Sequence, residues 1–389
     1  MEESVDGQGY LEDILDKICK KILRECERNG SIIPYIPENG RYKDMADSDI
    51  AWWTNGFFAG LLWQLYNVTG NHTYRSIAED IEKKLDRAID EYEGLYHDVG
   101  FMWMHTAVAD YKLTGNKQSR VRGLKMANLL AGRYNVAGEF IRAWNGDMTG
   151  WMIVDCLMNL PLLYWASGEI NDPRYMLMGK KHADTAIRYI VREDGSCNHI
   201  AIIDPYTGEL LDLPAGQGYG KGSSWSRGQA WAVYGFALSY RYTGDKKYLD
   251  TAMKVADYFI DNIKKTDYVS LCDFKAPKEP VYYDSTAGVI AACGLIEIEH
   301  HLREINQDTK KAEEYGDIAY KIVEATEKRF GNWSDEQDGM IMMGKASYHG
   351  LGGDHHVNII YGDFFFTEAV IKLISKNKDI VNNKEFNIW

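Results

Sequence analysis

The sequence predicts an all-α chain folded as one (α/α)6 barrel, a single domain over residues 1–389. Three observations predict it. A turn mark recurs along the chain: Tyr66-x-x-Thr69-Gly70 then Asn71, Tyr111-x-x-Thr114-Gly115 then Asn116, Tyr164-x-x-Ser167-Gly168 then Asp172, and Tyr242-Thr243-Gly244 then Asp245. A glycine in the left-handed C′ position closes one helix and an Asn or Asp caps the next. Each mark is therefore the turn of a helix hairpin, and its recurrence signals a repeat architecture. Segments before the marks are apolar on nearly every side, as in buried helices, and those after carry a polar stripe, as in surface helices. Finally, no linker or low-complexity tract divides the chain.

In chain order the pattern gives an outer helix at 9–29, then inner 52–69 and outer 72–91. Inner 99–114 and outer 117–132 follow, then inner 148–167 and outer 173–191. Inner 224–243 and outer 245–264 precede inner 284–302, outer 308–330 and inner 362–375. Six apolar helices alternating with six amphipathic ones fit an inner ring wrapped by an outer ring. Weak strand signals sit near 196–204 and 338–347.

With 44 Lys+Arg against 57 Asp+Glu, the net charge is −13. A phosphate backbone wants a basic face, so no nucleic-acid partner is expected. No apolar run reaches membrane-span length. The N-terminal MEESVDGQGYLEDILDK has neither a basic nor an apolar region, so no export signal is expected. The six cysteines are scattered without a CxxC pair, which suits reduced thiols in a cytoplasm. The 11 Trp and 26 Tyr suit either sugar stacking or core packing.

In such a barrel the pocket lies where the inner helices begin. Asn55, Asp98, Asp155 and Arg227 stand 15, 17, 13 and 17 residues before Gly70, Gly115, Gly168 and Gly244. That scatter is about 6 Å of helical rise, so they should converge at one mouth. Asp155 lies in an apolar run, where burial raises a carboxyl pKa and suits a general acid; a hydrogen-bonded strut is the other reading. Asp98 is either an N-cap or the second of a facing carboxylate pair. The segment Gly216-Gln217-Gly218 to Gly235 carries Arg227, which can hold a carboxylate with two prongs or pair with a nearby acid for stability. Trp225 and Trp231 could offer ring faces, and His199 lies in a loop. The strings Asp354-His355-His356 and Tyr348-His349 lack a further spaced ligand, so no metal is expected. The glycine-rich 216–222 and 350–353 stretches lack the phosphate-loop Lys.

Several motifs resemble the unsaturated glucuronyl hydrolases, glycoside hydrolase family 88. They are Trp53-Thr54-Asn55-Gly56-Phe57, His97-Asp98-Val99-Gly100-Phe101, the run from Asp155 to Ala166, Trp225-Ser226-Arg227-Gly228-Gln229-Ala230-Trp231, Tyr282-Tyr283-Asp284-Ser285-Thr286-Ala287 and Ser347-Tyr348-His349. The resemblance implies a cytoplasmic (α/α)6 barrel without metal or organic cofactor. It implies release of the 4,5-unsaturated uronic acid from the non-reducing end of lyase-generated glycosaminoglycan oligosaccharides. The route is hydration of a vinyl ether: protonation at C4, water addition at C5, then opening of the hemiketal. Asp155 matches the general acid and base, and Asp98 the second essential aspartate. His199, Gln217, Arg227 and Trp231 match substrate-binding positions, with Arg227 or Gln217 facing the uronate carboxylate. Trp53, His97, Trp144 and Tyr348 match further pocket positions. Asn55 stands where members carry aspartate, which would remove a negative charge at the mouth and ease entry of a sulfated sugar. The competing readings are an unsaturated rhamnogalacturonyl hydrolase, a sugar epimerase or isomerase using histidine bases, and a sugar-binding protein without catalysis.

Overall fold

A computed structural model describes residues 2–350, 356–376 and 389 of the chain. Helix α1 (Glu2–Asn29) precedes the hairpin of α2 (Phe57–Thr69) and α3 (His72–Glu91). The next inner helix runs from α4 (Val99–Trp103) through a π-helical turn (Met104–Val108) into α5 (Ala109–Thr114), and α6 (Lys117–Gly132) returns outside it. Short strands β1 (Tyr134–Asn135), β2 (Phe140–Ile141) and β3 (Trp151–Ile153) lead into a 3-10 turn (Val154–Met158) and then α7 (Leu160–Ile170) and α8 (Pro173–Tyr189). After β4 (Ile200–Ile203) and β5 (Leu210–Asp212) come α9 (Ser226–Thr243), α10 (Lys246–Ile263), α11 (Ser285–Glu304), α12 (Thr309–Phe330) and α13 (Ile360–Lys376).

The inner helices close a circuit. α2 touches α5, α4 touches α7, and contacts then pass from α7 to α9, α11 and α13 and back to α2. Each outer helix packs on its inner neighbour: α3 on α2, α6 on α4 and α7, α8 on α7, α10 on α9, α12 on α11, and α1 on α13. This is the (α/α)6 barrel that the alternation predicts. Its centre is filled by side chains such as Trp63, Trp103, Trp231 and Phe365, all without solvent exposure. Each such side chain contributes about 1.5–3 kcal/mol by leaving water. No helix among the described residues is long and apolar enough to cross a membrane.

The turn marks work as their chemistry suggests, with one exception. Gly70, Gly115 and Gly244 close their helices with φ of 69°, 77° and 65°. Asn71, Asn116, Asp172 and Asp245 cap the helices that follow by accepting backbone N–H bonds. Gly168, however, lies inside α7; Asn171 takes the left-handed position instead, at φ 54°. The inner helix expected at 148–167 also begins late. Residues Trp151–Ile153 form β3, antiparallel to β4 in register Trp151↔Ile202 and Ile153↔Ile200. A short buried apolar run fits strand and helix equally, and here the neighbouring strand decides. The strand signal near 196–204 corresponds to β4, whereas 338–347 holds only isolated bridges at Ile341 and Gly344.

Candidate active site

The polar residues picked by height do stand where the inner helices begin. Asn55 lies just before α2, Asp98 immediately precedes α4, Asp155 lies in the turn before α7 and Arg227 is the second residue of α9; Asp284, which the count did not pick, caps α11. The N-terminal ends of these helices face one mouth, and their partial positive charge favours an anionic ligand. The mouth opens into a cleft of about 570 Å³ walled by Asp98, Asp155, Gln217, Trp53 and Trp144.

Strand pairing assembles one wall of the cleft. The β3–β4 ladder continues as a bond from Val154 N to His199 O at 3.0 Å. This places Asp155 Oδ2 3.4 Å from His199 Nε2. The other ring nitrogen, Nδ1, accepts the Gln217 N–H at 2.9 Å. The neutral ring therefore carries its proton on Nε2, facing Asp155. Gly216, at φ 60°, lets the loop come this close: a Cβ there would lie 1.9 Å from His199 Nδ1. Trp225 packs against His199, with ring centroids 4.5 Å apart and the planes tilted by 51°. Ala143, Ile153 and Ile200 form a small apolar cluster on which Trp144 and Trp151 pack.

Asp98 is held differently. It makes no capping bond through its side chain, so the N-cap reading fails. Its Oδ1 accepts Asn159 Nδ2 at 2.9 Å, and Asn159 Oδ1 accepts the Phe101 N–H at 2.7 Å. His97 Nε2 lies 3.4 Å from the other oxygen. One turn of helix separates Asp155 from Asn159, so this single turn presents one carboxylate and braces the other.

The electrostatics correct one expectation. Burial does push the Asp155 carboxyl upward, but the adjacent His199 ring and the electrostatic pull of His97 and Arg227 outweigh it. Its pKa lies below the ordinary carboxylate value. That direction favours the carboxylate and runs against the expectation of a stored acid.

Other candidate ligand residues do not line the cleft. Arg227 is 1% exposed and donates to Asp284 Oδ2 at 2.5 Å and to the carbonyls of Lys345 and Ala346. It is sandwiched between Trp225 and Tyr361. The stabilising reading of Arg227 is the one the structure supports: it ties α9, α11 and the 345–346 loop together behind the cleft. Gln217 Nε2 donates to the same Ala346 carbonyl at 2.7 Å, so Arg227 acts on the site through that loop. Trp231 has no exposed surface and packs on Phe101 and Phe365 in the barrel core. Asn55 is fully buried, donating to Asp49 O and Ile50 O, so its side chain turns into the fold and does not line the cleft. His97 is likewise fully buried behind Asp98. Tyr348 is bonded through its backbone N–H to Gln217 O but packs against Tyr219 and Tyr282 in a neighbouring cavity.

Asp354 and His355 lie outside the described residues. His356 Nε2 accepts the Tyr283 N–H, and His349 Nε2 meets Tyr219 O at 2.8 Å. Among the described residues, one group has metal-ligand proximity, His300, His301 and Glu304. It stands at the C-terminal end of α11, the opposite end of the barrel from the cleft.

The sequence profile of Glycosyl Hydrolase Family 88 matches residues 15–242. The chain belongs to glycosyl hydrolase family 88. It is 35% identical over 360 residues to the unsaturated glucuronyl hydrolase of Bacillus sp. (strain GL1), covering 90% of this chain and 93% of that one. The crystal structure of the Bacillus enzyme matches with a TM-score of 0.86 over 92% of this chain and 96% of that chain, at 33% identity. An unsaturated chondroitin disaccharide hydrolase of Streptococcus pneumoniae is 32% identical, over 90% of each chain. The crystal structure of an unsaturated glucuronyl hydrolase from Streptococcus agalactiae matches with a TM-score of 0.87 at 29% identity, over 95% and 93% of the two chains. The fold and the glycoside hydrolase class implied by the sequence motifs are thereby established for this family 88 member.

The sequence reasoning missed Asn159, the brace of Asp98, and also Trp52, Tyr96 and Asn145 in the cleft wall. Asn159 carried the same signal that exposed Asp155, a polar side chain in an apolar run.

Proposed function

We propose that this family 88 enzyme removes the 4,5-unsaturated uronic acid from the non-reducing end of lyase-generated glycosaminoglycan oligosaccharides by hydrating the vinyl ether. One observation carries the reading. Two carboxylates, Asp155 and Asp98, face one cleft where the inner helices begin, and a histidine of fixed tautomer adjoins the first. Its relatives' named activities, on unsaturated glucuronyl and chondroitin disaccharide substrates, support the same substrate class.

In this mechanism Asp155 in its acid form gives a proton to C4. Water adds at C5 and returns a proton to the Asp155 carboxylate. The resulting hemiketal opens and expels the remaining sugar, so one water is consumed and the enzyme is regenerated. His199 orients Asp155 through its Nε2 proton. Asp98, braced by Asn159, accepts hydrogen bonds from the sugar hydroxyls. Gln217 faces the uronate, and Trp53 and Trp144 supply ring faces for C–H contact. An epimerase would need histidine bases in the cleft. His97 is buried and His199 Nδ1 is already bonded, so nothing favours that reading. The cysteines described are all free thiols, which fits the reducing cytoplasm included in this proposal.

The test follows the ultraviolet absorbance of the substrate double bond with unsaturated chondroitin, hyaluronan and heparin disaccharides. Wild type should bleach at least one of them and Asp155→Asn none. Bleaching of a pectin-derived disaccharide alone would replace the substrate class, and bleaching of nothing would overturn the chemistry.

A further inference from the structure

Beside the cleft lies a second cavity of about 660 Å³, with Asn145 in the wall of both. Two arginines that bracket the β1–β2 ribbon, Arg133 just before β1 and Arg142 just after β2, line it. Arg133 donates only to neutral oxygens. Nε reaches Arg142 O at 2.9 Å, Nη1 reaches Asn145 Oδ1 at 2.8 Å, and Nη2 reaches the carbonyls of Ala143 and Trp144 at 2.9 and 3.1 Å. Arg142 Nη2 donates to Gly146 O at 2.6 Å, and its Nε is buried without a partner. Among the described residues neither arginine forms an ion pair. Glu93 is in the same wall, but it is exposed, and its backbone carbonyl, not its carboxylate, accepts Asn145 Nδ2.

In a chain with 13 more acids than bases, two adjacent guanidinium groups without an ion-pair partner among the described residues form a local positive site, which the charge of Asp98 offsets only in part. Burial and the charge of Arg142 pull the Arg133 guanidinium down to about 10. An anion entering between them would relieve that repulsion. Tyr92 and Tyr134 flank the arginines, so the wall offers ring faces as well as charge. That combination suits an anionic sugar better than a bare inorganic anion.

We propose that this cavity is a binding site for a sulfate or uronate carboxylate carried by sugar residues of the leaving oligosaccharide beyond the first. The proposal rests on the function given above. Arg142 is the contact. Arg133 has a double task, because it also gathers the carbonyls of 142–144 and the Asn145 side chain, and so positions Trp144 and Asn145 in the cleft wall.

The experiment compares an unsaturated chondroitin disaccharide with the matching tetrasaccharide, using wild type, Arg142→Ala and Arg142→Lys. For the tetrasaccharide, Arg142→Ala should raise KM about tenfold with kcat unchanged, the loss of one charge-assisted contact. Disaccharide kcat/KM should stay within about twofold, since the shorter substrate does not reach the site. Lysine should restore part of the loss, and high salt should erase the difference between wild type and alanine. An unchanged tetrasaccharide KM overturns the inference, as does an equal loss on both substrates, which is the mark of a purely structural arginine. If wild type turns over neither substrate, the functional reading itself has failed and this inference falls with it.

Discussion

Replacing Gly216 with alanine should slow the enzyme about 10²-fold while leaving the barrel folded. A Cβ at this position, at φ 60°, would lie 1.9 Å from His199 Nδ1, and real Cβ contacts essentially never come under 3.0 Å. The loop or the ring must therefore give way by at least 3.0 − 1.9 = 1.1 Å. The bond displaced is the one from Gln217 N–H to His199 Nδ1, which fixes the tautomer facing Asp155. The left-handed backbone costs alanine about 1–2 kcal/mol, and the lost bond about 1 kcal/mol more. Unfolding entropy of roughly 2.1 cal/mol/K per residue gives about 0.8 kcal/mol/K for this chain, so Tm falls by only about 2–4 °C. Catalysis is more sensitive, because a misplacement of about 1 Å costs about 10²-fold in rate. The assay is kcat/KM from loss of substrate absorbance, with Tm from calorimetry. Gly220→Ala is the control, since nothing lies within 4 Å of a Cβ there. A Gly216→Ala enzyme within about threefold of wild type would refute the reasoning.

Asn159→Ala should free Asp98 Oδ1 and strand the buried Phe101 N–H. Kinetics should show kcat reduced about 10²-fold with a smaller change in KM, and calorimetry a loss of about 1–3 kcal/mol. Arg227→Met should leave Asp284, which has no exposed surface, without its cation. A loss of about 3–5 kcal/mol, read as about 4–6 °C in Tm, is expected; an unchanged Tm removes Arg227 from its structural role. Glu25 supplies a test by pH. Burial first, then the charge of Asp363, lifts its carboxyl to about 8. A raised folded-state pKa gives stability that is full below the unfolded value near 4 and is lost as pH rises through 8. Glu25→Gln can keep the bond from Gly339 N–H, so the variant should match wild type near pH 5 and melt several degrees higher near pH 9. Parallel Tm curves would contradict it.

The barrel was legible because burial all round and burial on one stripe leave different residue patterns. The strand at Trp151–Ile153 was not, because its apolar run suits either element and its partner lies beyond α8. The same limit governs the site. Counting residues back from a turn fixes height along an inner helix, and Asp98 and Asp155 were found that way. Counting does not fix which way a side chain points, since each residue turns by about 100°. Arg227 and Asn55 have the right height but face bonded partners behind the cleft. The bond from Asn159 to Asp98 joins two inner helices and is invisible to any local pattern.

The lowered Asp155 pKa bears on how the proposed acid gains its proton. The His199 ring and the Arg227 guanidinium favour the carboxylate form of Asp155. The substrate brings a carboxylate of its own and displaces water. Two like charges about 5 Å apart, at an effective dielectric of about 20, repel by about 3 kcal/mol. Binding the uronate thus favours the acid form of Asp155 and delivers the proton when C4 is in place. The consequence is a difference between two pH profiles, because kcat/KM reports the free enzyme and kcat the complex. Activity requires the acid form, so each profile should fall on its alkaline side. The kcat limb should lie at higher pH, and KM should rise between the two limbs. Coincident limbs would mean that substrate charge does not govern Asp155, and that the proton reaches C4 from another donor in the cleft wall.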